Sequence, residues 1–217
     1  MSDFAKSRVA MVDRQVRPSD VTSYPIIEAM LKIPRERYAP AALRAVAYAD
    51  APLALGPGRE MLDPRTFAKM LDGADIGPDD LVLDLAPGYG YSTAVIARMA
   101  AAVIAIEPSS EMAAAATEIL NAEEVDNAIV SEGEPAAGDP AHGPYDAIFI
   151  NGAVGGTPKS LLSQLKEGGK IVAIEMEGAN GKAVAYIRNG DQLYSRPLFN
   201  ATAPVLPGFE VAEEFAL

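Results

Sequence analysis

The sequence predicts an α/β protein: a seven-stranded, mainly parallel sheet that ends in an antiparallel hairpin, carries helices on both faces and follows a helical N-terminal segment. Three observations lead there. From residue 80 onward, short apolar runs alternate with stretches of helical spacing, the mark of β-α-β units and a parallel sheet. Near the end, "KAVAYIRNGDQLYSRPLF" is two strand-like runs joined through Asn189 and Gly190, the strongest short signal for a hairpin. The first 75 residues read instead as helices broken by prolines.

Ile26, Ile27, Met30 and Leu31 recur at helical spacing after Pro25, and Pro34 ends that helix. Residues 50–60, "DAPLALGPGRE", are rich in turn residues and are expected to be an exposed loop. In "DPRTFAKML", Asp63 reads as an N-cap, Pro64 takes the first helical position, and Phe67, Met70 and Leu71 share a face. Strands are expected at Leu81 to Asp84, Val103 to Ile106, Ala128 to Ser131, Ala147 to Ile150 and Lys170 to Ile174. Helices fill the gaps: one after Ser92, one through Met112 to Leu120 behind Ser109 and Ser110, and one at "TPKSLLSQL" with Thr157 as cap and Pro158 next. The arrangement is Rossmann-like. The length fits one domain over residues 1–217, with a helical segment over 1–75 and an α/β core over 76–217.

Composition narrows the partners. Eighteen Lys and Arg face 30 Asp and Glu, a net charge of −12 with no run of like charge, which argues against nucleic acid or an anionic membrane as partner. The absence of cysteine excludes a disulfide framework, a zinc ribbon and a thiol nucleophile. One histidine, His142, in a loop rich in proline and glycine, cannot build a metal cluster and reads as a surface residue. The first twenty residues mix charges of both signs and so lack the apolar core of a signal peptide. The longest apolar stretch, Met99 to Ile106, falls well short of the roughly 18 residues of a membrane span. A cytoplasmic location is expected.

Open α/β sheets bind ligands beyond the carboxyl ends of their strands, so the loops after residues 84, 107, 131 and 150 should line one crevice. The first of these is "DLAPGYGY", residues 84–91. It lacks the lysine of a P-loop. It also fits G-x-G-x-x-G poorly, because Gly88 and Gly90 are followed by Thr93, and starting at Ala86 loses the first glycine. Asp84 adds an electrostatic objection, since it would stand beside the pyrophosphate of a dinucleotide. A nicotinamide-dependent oxidoreductase meets both difficulties. S-adenosylmethionine meets neither: its ammonium and sulfonium are cationic and it has no phosphate, while its adenosine needs close backbone approach and an acid for the ribose hydroxyls. Glu107, at the end of "VIAIE", supplies that acid.

Four stretches in this order and spacing, "IPRERYAPAALRAVAYADAPLALGPGRE", "LVLDLAPGYGYSTAVIARMAAAVIAIE", "PYDAIFINGA" and "LLSQLKEGGKIV", resemble the protein-L-isoaspartate O-methyltransferase family over about residues 10–208. The resemblance implies an S-adenosylmethionine cofactor and methyl transfer to a protein or peptide carboxylate. It also implies that Asp84, Ala86, Gly88 and Gly90 form the first cofactor motif, with Ala86 in place of a glycine. Glu107 would be the ribose acid, and Glu134 in "EGEP" would stand near the adenine amino group. The substrate segment departs from the family pattern. Where a Thr-Ile-Ser-x-Pro stretch follows the "GPG" turn, this chain has Arg59 and then Glu60, Met61, Leu62, Asp63 and Pro64, so Leu62 replaces the serine and Glu60 the threonine. Two carboxylates, Glu60 and Asp63, oppose an incoming carboxylate at neutral pH.

An ionised carboxylate needs no general base, because proximity and alignment carry much of an in-line displacement; no catalytic residue is assigned. Two readings of the segment stand side by side: Asp63 as a helix cap with Leu62 packed inward, or Glu60 and Asp63 selecting a cationic or protonated acceptor. Leu62 and Glu60 also motivate an alternative function, a respecialised or inactive relative that keeps the fold and cofactor site. Asn151, ending "AIFIN", is a candidate substrate contact.

Overall fold

The computed structural model describes residues 3–210. The first helix, α1 (Asp3–Met11), runs on through a π-helical turn and a 3-10 turn that contains Pro18. Helix α2 (Tyr24–Lys32) carries Pro25 in its first turn and buries Ile26, Ile27 and Met30. It stops at Ile33, which is extended, because Pro34 keeps the residue before it out of the helical region. Residues 50–60 are mostly exposed, as expected, but they are a hairpin rather than a loop. Leu53–Gly56 (β1) and Arg59–Met61 (β2) pair as an antiparallel hairpin, and Leu53 and Leu55 are buried. The alternation of Leu53 and Leu55 with Ala54 and Gly56 is a two-residue period that the surrounding glycines and prolines mask. Asp63 then caps α3 (Pro64–Ala74), accepting the Thr66 N–H at 2.9 Å, and Phe67, Met70 and Leu71 face inward.

The main sheet is built from β3 (Leu81–Leu85), β4 (Ala102–Glu107), β5 (Ala128–Glu132), β6 (Tyr145–Val154), β7 (Leu165–Glu177), β8 (Asn180–Asn189) and β9 (Gln192–Asn200). Its order is β5-β4-β3-β6-β7-β8-β9. The first five strands are mutually parallel, while β8 runs antiparallel to both neighbours. Asn189 pairs with Gln192 across a turn in which Gly190 has φ +61°, as the Asn-Gly signal requires. β3, β4 and β6 are buried on both faces along nearly their whole length, as in a sheet covered on both sides.

One face carries α4 (Tyr91–Ala97) and α5 (Ser110–Ala122) together with the earlier helices; Val82, Phe149 and Val172 meet Phe67, Met70 and Val95 there. On the other face Leu83, Ile148 and Ile171 pack under Leu161, Leu206 and Phe209. The helix expected at "TPKSLLSQL" is a 3-10 helix, Lys159–Gln164. The chain must be extended again at Leu165 to enter β7, which leaves six residues after Pro158, a length that 3-10 turns accommodate. Among the described residues no helix is long and apolar enough to cross a membrane, and no group of three or more His, Cys, Asp or Glu side chains is placed to hold a metal ion.

β3 is hydrogen-bonded to both β4 and β6, so the chain reverses its direction of winding at β3. That switch point opens a crevice at the carboxyl ends of these strands, which is where such sheets place their ligands.

Candidate functional site

β3 delivers Asp84 to the switch point, fully buried. Its Oδ2 accepts hydrogen bonds from Ser92 Oγ and Thr93 Oγ1, each at 2.7 Å, and its Oδ1 accepts one from Asn151 Nδ2 at 2.6 Å. Burial pushes the carboxyl up, the three donors pull it part of the way back and the charge of Glu107 adds a small upward push, leaving it raised to about 6. Asp84 therefore ties the end of β3 to the first turn of α4 and to β6. Asn151, a candidate substrate contact from the sequence, donates its amide to Asp84 and to the Leu85 carbonyl at 3.0 Å. Sequence reasoning did not assign Ser92 and Thr93 to the site; the signal for them is two hydroxyls in the helical turn that follows the glycine loop.

Three residues of that loop take left-handed backbone: Ala86 at φ +57°, Gly88 at +62° and Gly90 at +88°. A Cβ on Gly88 would lie 2.5 Å from Leu55 Cδ1, so the β1–β2 hairpin rests directly on the loop. Ala86 has the conformation without glycine's freedom, and carries strain.

Glu107 ends β4 with its side chain wholly buried. Its Oε1 accepts from Arg59 Nη1 at 3.0 Å and the Ser109 N–H at 3.1 Å; its Oε2 accepts from Arg59 Nη2 at 2.9 Å and the Gly88 N–H at 2.7 Å. Arg59 Nη2 also donates to the Ala86 carbonyl at 3.1 Å. The Gly133 N–H bonds the Glu107 carbonyl at 3.1 Å, which brings exposed Glu134 to the same end of the sheet. The structure thus gathers Arg59, Ala86, Gly88 and Glu107 into one bonded cluster beside Asp84, with Gly90 at the start of α4 and Glu134 at the rim.

The rest of the substrate segment is fixed from below. Leu62 is buried, and its carbonyl accepts from Arg35 Nη2 at 2.7 Å. Arg35 is itself fully buried, donates Nε to the Ala47 carbonyl at 2.8 Å, and stacks 4.8 Å from the centre of the Tyr91 ring; burial lowers its pKa. Glu60 is half-buried, and burial, then the charge of Asp63, raises its carboxyl. Arg35, Glu60, Leu62, Ala86, Tyr91 and Asn151 help line a cavity of about 10 Å³, room for about one water molecule. A larger hollow, about 250 Å³, lies by Asp80 and Asp146 at the amino ends of β3 and β6, the wrong end of the sheet for a ligand of this fold.

Residues 6–198 match the family described as protein-L-isoaspartate(D-aspartate) O-methyltransferase (PCMT). A protein-L-isoaspartate O-methyltransferase of Synechococcus sp. (strain JA-2-3B'a(2-13)) is 38% identical over 169 residues, 78% of this chain and 69% of its own. One of Roseiflexus castenholzii (strain DSM 13941 / HLO8) is 33% identical over 197 residues, 90% of this chain and 89% of its own. Two solved structures share the fold. One, described as a protein-L-isoaspartate O-methyltransferase, superposes with a TM-score of 0.79 at 22% identity, over 95% of this chain and 67% of that one. The other, a PCMT of Plasmodium falciparum in complex with S-adenosyl-L-homocysteine, gives 0.78 at 18% identity, over 95% and 99%.

Proposed function

We infer the function from one premise: the chain belongs to the protein-L-isoaspartate(D-aspartate) O-methyltransferase family. It is an S-adenosylmethionine-dependent methyltransferase that acts on a protein, with a carboxylate of the isoaspartyl type as methyl acceptor. The observation that carries this reading is Glu107, a buried carboxylate at the carboxyl end of β4, bonded to the backbone of a left-handed glycine loop at the switch point of the sheet.

The residues fit the cofactor. Glu107 would hold the ribose hydroxyls, Gly88 and Gly90 would allow close backbone approach, and Glu134 would take the adenine amino group. When bound, the cofactor supplies a methyl group on a cationic sulfur that leaves as a neutral thioether. The chain's own part is to position. Asp84 fixes the loop against α4 and β6 through Ser92, Thr93 and Asn151. Arg35 holds the Leu62 carbonyl, and so the substrate segment of Arg59, Glu60, Met61, Leu62 and Asp63, against the same loop. An ionised acceptor oxygen needs no proton removed, so alignment is the main task left to the protein. The segment over 1–75 supplies the substrate side and 76–217 the cofactor side. A net charge of −12 supports a protein partner over nucleic acid or an anionic membrane.

Calorimetry with S-adenosylhomocysteine beside a nicotinamide dinucleotide tests the cofactor. Saturable binding of the first alone is expected; binding of the dinucleotide alone contradicts the reading.

A further inference from the structure

The acid that would hold the cofactor's ribose is already saturated by the chain itself. An ionised carboxylate offers about four lone-pair sites, and Glu107 meets four donors: both terminal nitrogens of Arg59 and the N–H groups of Gly88 and Ser109. Two of these donors are local backbone and belong to the loop and the start of α5. The other two come from a side chain 48 residues away in sequence, on the hairpin that rests on the glycine loop. With its third bond to the Ala86 carbonyl, the guanidinium spans the loop and the acid together.

We propose that Arg59 is an internal competitor for the ribose subsite, and that its side chain must leave Glu107 before a ribose can bond there. Arg59 thereby sets cofactor affinity, a conclusion that rests on the cofactor reading above. The two partners cannot share the carboxylate, since ribose hydroxyls need the lone pairs that Nη1 and Nη2 now take. Glu107 is wholly buried and cannot remain unpaired, so one donor set must replace the other. Departure is eased because Arg59 Nε is buried with no hydrogen-bond partner among the described residues and regains water outside the closed arrangement. The small cavity beside the loop has the same origin: the hairpin that carries Arg59 also carries Glu60 and Met61 into it.

The test compares wild type, Arg59→Gln and Arg59→Lys by calorimetry with S-adenosylhomocysteine and by thermal melting without ligand. Removing the competitor leaves Glu107 short of donors only in the free protein. Arg59→Gln is therefore expected to bind about tenfold tighter or more, and to melt lower than wild type when free. Arg59→Lys, which keeps the charge but not the two-pronged contact, should fall between; it carries the test if the glutamine variant does not fold. Binding by wild type with equal or weaker binding by the variants overturns the proposal and leaves the cofactor reading standing. Binding by none of the three overturns both.

Discussion

Ala86 holds φ +57° with a side chain attached, at the position where the family resemblance leads one to expect glycine. Left-handed backbone costs a non-glycine residue about 1–2 kcal/mol, and only part of that is returned by the smaller unfolded-state entropy of alanine. Ala86→Gly is expected to raise stability by about 1 kcal/mol in urea unfolding, with the same slope. Asp84 makes a prediction of a different kind. Its folded-state carboxyl, raised by burial from the ordinary 3.8 to about 6, holds its proton more tightly than the unfolded chain does. The stability this contributes is fully present below 3.8 and is lost as pH rises through about 6. Asp84→Asn removes that dependence, so the difference in melting temperature between wild type and variant should move in the variant's favour from about pH 4 to 7. A constant difference would show that Asp84 does not titrate in that window. The placement of Glu107, Gly88 and Gly90 at the carboxyl end of the sheet was legible at this scale because motif and strand end coincide. The Arg59–Glu107 contact was not, because nothing local in a sequence links residues 48 apart.

The hairpin of β1 and β2 is the element that carries the proposed substrate segment onto the glycine loop. The glycine loop beneath it was readable from its punctuation, but the hairpin was hidden by the same residues, Gly56, Pro57 and Gly58, that make its turn. Likewise, six residues after Pro158 give apolar spacing that α and 3-10 helices share, and only the onset of β7 decides between them. Of the two readings of the substrate segment, the structural one describes what is seen: Asp63 caps α3 and Leu62 is buried. Glu60 still faces the small cavity beside the loop with a half-buried carboxylate, as the proposed acceptor role requires. Replacing Glu60 by Thr and Leu62 by Ser removes the repulsion and restores the hydroxyl. The pair is expected to raise methyl transfer to isoaspartyl peptide at neutral pH. It should also lower stability by about 2–5 kcal/mol, the range for emptying a buried leucine site. Unchanged transfer by a folded double variant would remove the segment from acceptor recognition.

The whole molecule joins its two parts through one core. Val12, Met30 and Phe67 from the N-terminal segment pack with Val82, Phe149 and Val172 of the sheet, and Met61 and Leu62 belong to the same buried cluster. The parallel sheet, the switch point and the antiparallel edge were all legible, since each follows from strand order and from periodicity over many residues. Whether the crevice stands open was not, because that depends on how the hairpin closes over the loop in three dimensions. The central claim, methyl transfer to an isoaspartyl carboxylate, is tested most directly by incubating the purified chain with methyl-labelled S-adenosylmethionine and two peptides differing only in isoaspartate or aspartate at one position. Label is expected in the isoaspartyl peptide as a base-labile ester, well above the aspartyl control. Equal background in both, from protein that binds S-adenosylhomocysteine, would contradict it.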